Sequence, residues 1–326
     1  MRPEPTGSPL LPKLAIGVPS YTATLMATFL ERYRAGDRVA VWDELVALGE
    51  GVRHKRYCAD AVAVAAETMH RARHNVELLI QRLDGMGYRF VTMEARDRYE
   101  RQALKRYLRT KQMLALKLHP GDMTIVSDSK ERRSELEAAA VKLADKASRG
   151  KPPLKNRDVL DRPTKRTAQQ LYKLEKMAGG PLPLSLRAWY EQVGAVSLLG
   201  YTGTLLSGKD VPSGGPDPLI IYSQDLALQM MKEDWDERED SAWWQHGRIR
   251  LPLAPDRVFK AGGGGCGPYE MVIPNLCADG IFEDGNKRTF VNYLRNVFEC
   301  GGFPGWKHKK QTHEIVAKLT GGLLPL

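Results

Sequence analysis

The run Pro181-Leu-Pro-Leu-Ser-Leu-Arg-Ala-Trp-Tyr-Glu-Gln-Val-Gly194 leaves the backbone few choices. Pro183 followed by Ser185 reads as a helix start, with the hydroxyl placed to cap free backbone N–H groups. Leu186, Trp189, Tyr190 and Val193 then recur at the helical period and form one apolar face. Gly194 follows the last periodic residue, where a left-handed turn commonly ends a helix. The spacing predicts a short amphipathic helix packed on a sheet.

The surrounding chain divides by pattern. Residues 1–13 are proline-rich and are expected to be a disordered tail. Residues 20–34 read as a helix with Ser20 as N-cap, 40–49 as a second with Trp42 and Leu45 inward, and 59–83 as a third. The third spaces Ala61, Val64, Ala65, Thr68, Ala72, Val76, Leu79 and Leu83 on one face. Residues 87–92 suit a short extended piece, 94–118 a strongly basic helix, and 129–147 an alanine-rich helix. Prolines and basic residues at 148–163 suggest a linker. The expected domains are therefore a basic helical domain at 14–147, an α+β domain at 164–308 and a C-terminal extension at 309–326. Within the second, a helix is predicted over 164–178, with Ala168, Leu171, Leu174 and Met177 inward. Strands are predicted at 196–206, 219–222, 249–252, 258–260, 269–273 and 280–282. Helices are predicted from Gln224 into the acidic run and over 289–299. The fold class is α+β: a small sheet flanked by helices, preceded by a separate helical domain.

Charge is uneven. Of the net +10, residues 1–160 hold 29 Lys and Arg against 20 Asp and Glu, whereas residues 161–326 hold 20 against 19. A polyanion or an acidic partner is drawn first to the N-terminal half. Cys58, Cys266, Cys277 and Cys300 contain no C-x-x-C pair, which disfavours a zinc ribbon, a redox motif or a disulfide framework. The setting expected is reducing and cytoplasmic. The N-terminus lacks a signal-peptide core, and no apolar run is long enough to span a membrane, so no membrane association is expected.

Motifs for chemistry are weak. Gly262-x-Gly264-x-x-Gly267 has the glycine spacing of a dinucleotide loop, but a strand-like Tyr269–Ile273 follows where a helix is needed. Glu67, His70 and His74 share a helix face, yet Arg71 stands where a zinc protease carries its glutamate. An exposed face braced by Glu67–Arg71 and Arg73–Glu77 pairs is the better expectation. Asp256, Asp279, Glu283 and Asp284 fall in loops without the spacing of a calcium site. No catalytic residue, cofactor or metal is predicted. The basic helix offers Arg98, Arg101, Lys105, Arg106 and Arg109 as nucleic-acid contacts, and a solvated helix would look the same. The acidic run Glu233, Asp234, Asp236, Glu237, Glu239 and Asp240 lies beside Trp235, Trp243 and Trp244, a mixture suited to capturing a basic protein.

Three segments together carry a family resemblance. They are Leu182-Pro183-x-Ser185-Leu186-Arg187-x-Trp189-Tyr190-x-x-Val193-Gly194, then Asp217-Pro218-Leu219-x-x-Tyr222-Ser223, then Phe290-Val-x-Tyr-Leu-Arg295 running to Gly301-Gly302-Phe303-Pro304-Gly305-Trp306. In this order they resemble the SUKH superfamily (Smi/Knr-like) over about residues 166–308. The resemblance implies a non-enzymatic binding module. Bacterial members are immunity proteins that neutralise a toxin by direct contact, and fungal members are cell-wall regulators and interaction hubs. It therefore implies a protein partner, a toxin in the immunity case. The candidate partner-binding residues are Arg187, Glu191, Tyr222, the six acidic residues of 233–240, Trp243 and Trp244. Leu182, Pro183, Leu186, Trp189, Tyr190, Gly194 and the Gly302–Trp306 turn are expected to mark the fold. The alternative is an adaptor that binds nucleic acid through the basic helix at 94–118.

Overall fold

A 31-residue helix, Lys55–Gly85, is the longest element among the described residues. The computed structural model describes residues 27–92, 95, 98, 102, 130–148, 159–202, 205–206, 215–236, 249–261 and 267–326. In chain order, α1 is Phe29–Ala35, α2 Arg38–Ala47, α3 Lys55–Gly85, β1 Arg89–Phe90 and α4 Lys130–Ser148. Then come β2 Leu160–Asp161, α5 Thr167–Ala178, α6 Leu184–Gln192, β3 Ala195–Ser197, β4 Gly200–Tyr201, β5 Ile220–Ile221 and α7 Gln224–Asp236. The chain ends with β6 Ile249–Ala254, α8 Arg257–Lys260, β7 Tyr269–Ile273, β8 Ile281–Phe282, β9 Arg288–Thr289, α9 Phe290–Glu299 and α10 His313–Thr320. The class is α+β, and every strand pair is antiparallel: β1 with β4, β2–β3–β5, β6 with β7, and β8 with β9.

Local chemistry sets the element ends. Thr28 and Glu31 make a reciprocal capping box, so α1 begins at Phe29. The expected Ser20 cap and the 1–13 tail lie outside the described residues. All eight residues predicted on the apolar face of the third helix are buried along α3, joined by Met69 and Asn75. Residues 258–260, expected as a strand, are instead helical, because Asp256 accepts from the N–H groups of Val258 and Phe259. In α5 the buried positions are Thr167, Leu171, Leu174 and Ala178, while Ala168 is exposed rather than inward. The expected linker ends in β2, whose Leu160 pairs with Val196.

Helix α6 departs from its expected single apolar face. Leu184, Ser185, Leu186, Ala188, Trp189 and Tyr190 are all buried. A helix buried on most of its circumference needs cover from several sides, and α3 packs directly against it. One continuous apolar cluster runs from Tyr33 and Trp42 through Leu79 to Trp189, Phe290 and Leu319. The two expected domains therefore share a core among the described residues. Polar ties cross the same seam: Arg53 donates to Leu182 O at 2.6 Å and Leu276 O at 3.0 Å, and Tyr88 Oη donates to Leu198 O at 3.0 Å. A smaller cluster joins Leu136, Ala140, Leu143 and Ala144 of α4 to Val91, Leu199, Tyr201 and Ile220.

The last residues also enter the core. Ile315, Leu319 and Leu326 are buried. Asn75 holds the tail at both groups of one residue, accepting from Leu324 N at 2.7 Å and donating to Leu324 O at 2.8 Å.

Two stability outcomes follow from this packing. Gly194 has φ +93°, and a Cβ there would sit 2.0 Å from Asp161 O. Gly194→Ala should cost about 2–4 kcal/mol through backbone strain and loss of the β2–β3 approach. Asn75→Ala should cost about 1–3 kcal/mol by orphaning the Leu324 amide. Urea unfolding midpoints measure both, and an unchanged midpoint in either variant would contradict the corresponding contact.

Candidate partner-binding surface

Helices α5, α6 and α7 form one layer, with α5 packed against both of the others. Burial of Leu171, Leu174 and Ala178 fixes which side of α5 faces out. On α6, Glu191 is exposed and Arg187 and Gln192 are half-buried. Arg187 donates to both oxygens of Glu175 on α5 at 2.8 Å and to Glu191 Oε1 at 2.9 Å. Partial burial pulls the guanidinium pKa down, but the two carboxylates outweigh it and the net shift is upward. Arg187 thus bridges two acids at a half-exposed site. The expected contacts Arg187 and Glu191 form one charge cluster that a partner must meet as a unit.

Tyr172 completes this patch. It is 65% exposed and lies three residues before Glu175 on the outer face of α5. Leu226 on α7 is also exposed. The signal for Tyr172 is in the sequence: the period that buries Leu171 and Leu174 turns the next position outward. Between α5 and α7, Gln170 Nε2 donates to Asp225 Oδ2 at 2.7 Å.

The other expected contacts fall on different ground. Tyr222 is half-buried after β5; its N–H donates to Leu253 O at 2.8 Å, and burial, with Asp256 nearby, pushes its phenol pKa up. Glu233, Asp234 and Asp236 lie on the backbone of α7. Glu237, Glu239, Asp240, Trp243 and Trp244 lie outside the described residues. Of the basic helix, Arg98 is helical and exposed, whereas Arg101, Lys105, Arg106 and Arg109 lie outside them. Leu182, Pro183, Leu186, Trp189, Tyr190, Phe303 and Trp306 are buried, and the Phe303 and Trp306 rings stack at 4.3 Å. Gly302 meets Leu198 and Leu79 so closely that a Cβ would lie 2.8 Å from the former. These residues build the core beneath the layer.

Two buried polar contacts were not evident in the residue order. Ser185 does not cap α6; its hydroxyl donates to Asp279 Oδ1 at 2.6 Å. Asp279 also accepts from Gly280 N and Val291 N at 3.0 Å. Burial raises its pKa, and these hydrogen bonds oppose the rise. The second is the ion pair between Lys260, whose side chain is fully buried, and Asp217 at 2.8 Å. Burial lowers the Lys260 pKa, and Asp217 opposes the shift. Asp217 sits at φ 49°, an unfavourable backbone for the residue before Pro218, and the ion pair anchors it there. This contact ties the segment leading to Tyr222 onto α8.

The Glu67–Arg71 and Arg73–Glu77 pairs form at 3.0 Å, with His70 and His74 exposed. Among the described residues, no three His, Cys, Asp or Glu side chains group as metal ligands. Nor, among them, is any helix long and apolar enough to cross a membrane. No family model, curated protein or solved structure matches the chain.

Asp217→Ala leaves a buried ammonium without this partner and should cost about 3–5 kcal/mol near neutral pH. A lysine whose folded pKa lies below its unfolded value destabilises below the folded pKa, and the penalty fades as pH rises between the two. The loss should therefore shrink toward alkaline pH. Chemical unfolding of both proteins at several pH values measures this, and a pH-independent loss would rule out the charge as its cause.

Proposed function

We propose that this chain is a non-enzymatic protein-recognition module of the SUKH type, working in the cytoplasm. Its contact surface is the α5–α6 face with α7 beside it. The reading is carried by Tyr172, which stands exposed next to the Arg187–Glu175–Glu191 cluster. An exposed aromatic framed by fixed charges suits a protein interface: the ring supplies buried area on docking, and the charges set orientation. The acidic run at 233–240 suits a basic partner, as a nuclease-type toxin would be. Immunity by direct contact is the role in keeping with the SUKH resemblance.

The alternative role, nucleic-acid binding through the basic stretch, is separable in one experiment. Tagged full-length protein is used to recover partners from native lysate, with and without nuclease, and compared with Tyr172→Ser and Glu191→Lys. A stoichiometric protein should survive nuclease, and its affinity should fall by about tenfold or more in each variant. Material lost on nuclease treatment, or a partner indifferent to both substitutions, would remove this surface from consideration.

A further inference from the structure

The side chain of Lys260, at the end of α8, has no exposed surface, and its Nζ lies 2.8 Å from Oδ1 of Asp217, 43 positions earlier in the chain. The Tyr269 ring lies beside Nζ, with its centroid 5.1 Å away. That ring packs on Phe282 at 5.7 Å, and Phe282 packs on Tyr293 at 4.2 Å, so an aromatic wall flanks the pair. Two other carboxylates, Asp284 and Asp256, act on the ammonium from nearby. Asp284 is bonded to Arg288, and Asp256 accepts from Val258 N and Phe259 N. Asp217 is the acid in direct contact with Nζ.

Both side chains are held from the backbone. Lys260 N donates to Asp256 O at 3.0 Å within α8. On either side of Asp217, Pro216 O accepts from Gly305 N at 3.0 Å and Leu219 N donates to Gly302 O at 2.9 Å. Groups fixed in contact react without the entropy cost of meeting. Burial supplies a second ingredient. It lowers the Lys260 pKa and so favours the neutral amine, which is the nucleophilic form. Passing one proton along the 2.8 Å hydrogen bond turns the pair into an amine and a carboxylic acid with no change in net charge. Condensation of the two then removes both charges from a place where each is costly.

We propose that Lys260 and Asp217 are the site of an intramolecular covalent cross-link, an amide joining Nζ to Cγ. The Lys260 nitrogen attacks Cγ, a C–N bond forms, and one Cγ–O bond breaks. The departing oxygen keeps the carboxyl proton, takes one proton from the nitrogen and leaves as water. The balance needs no co-reactant. A freshly folded chain holds the ion pair, and the amide accumulates with time. The product staples the end of α8 to the segment before β5. It does not depend on the recognition reading.

The test uses full-length protein, folded, incubated at neutral pH and sampled over days by intact-mass spectrometry and tryptic digestion. A species lighter by one water should accumulate. Trypsin should cease to cut after Lys260, and a branched peptide joined through Asp217 and Lys260 should appear. An Asp–Gly step can also lose water, so the joined peptide decides. Lys260→Met keeps the apolar stem without the amine and should yield no joined peptide. The unsubstituted chain held in urea is a second comparison that needs no folded variant. Its yield should be lower by about tenfold or more, because the contact is lost. Absence of the joined peptide from the folded chain would overturn the proposal, and so would an equal yield in urea.

Discussion

The contact between α3 and α6 is the one on which the other elements depend. Helix α6 is too short to be stable alone and too apolar around its circumference to lie at a surface. Helix α3 supplies the missing cover with a stripe long enough to reach from α1 to α10. Once they pack, Trp189 can meet Phe290 edge-on at 5.6 Å, and Gly302 can close against Leu79 and Leu198. The glycine at 302 holds φ +91°, and a Cβ there would press on the methyl ends of Leu198 and Leu79.

The polar groups inside this core serve position more than binding. Ser185 and Asp279 pin the start of α6 to the loop before β8, and Asp279 reaches the first turn of α9 as well. Lys260 and Asp217 do the same for the approach to β5. Such groups are expensive to bury and tolerable only when paired. The Ser185–Asp279 contact fixes the start of α6, whose Arg187 bridges Glu175 of α5 and Glu191. The charges of the surface partly neutralise one another, which suits recognition by shape with charge acting as a guide.

The apolar stripes of α2, α3 and α9, the breaks at Gly179 and Gly194, and the strands β6, β7 and β8 follow from periodicity and turn residues, because those signals act over a few residues. The failures lie in side-chain contacts that residue order does not show. Ser185 looks like a cap until Asp279, far along the chain, takes its hydroxyl. Residues 258–260 have strand-like composition until Asp256 caps them as a turn of helix. Of the contact surface, Arg187 and Glu191 were evident as exposed helical positions, whereas their bridge to Glu175 needed α5 to be placed beside α6.

By itself the sequence determined the α+β class, most of the helices, the buried stripe of α3 and the core role of Trp189, since hydrophobic period and turn chemistry are local properties. Tertiary structure alone decided that the two halves share a core, that α6 is enclosed and that Lys260 is sealed against Asp217. Each depends on segments brought together from far apart along the chain, where burial rather than propensity selects the partner.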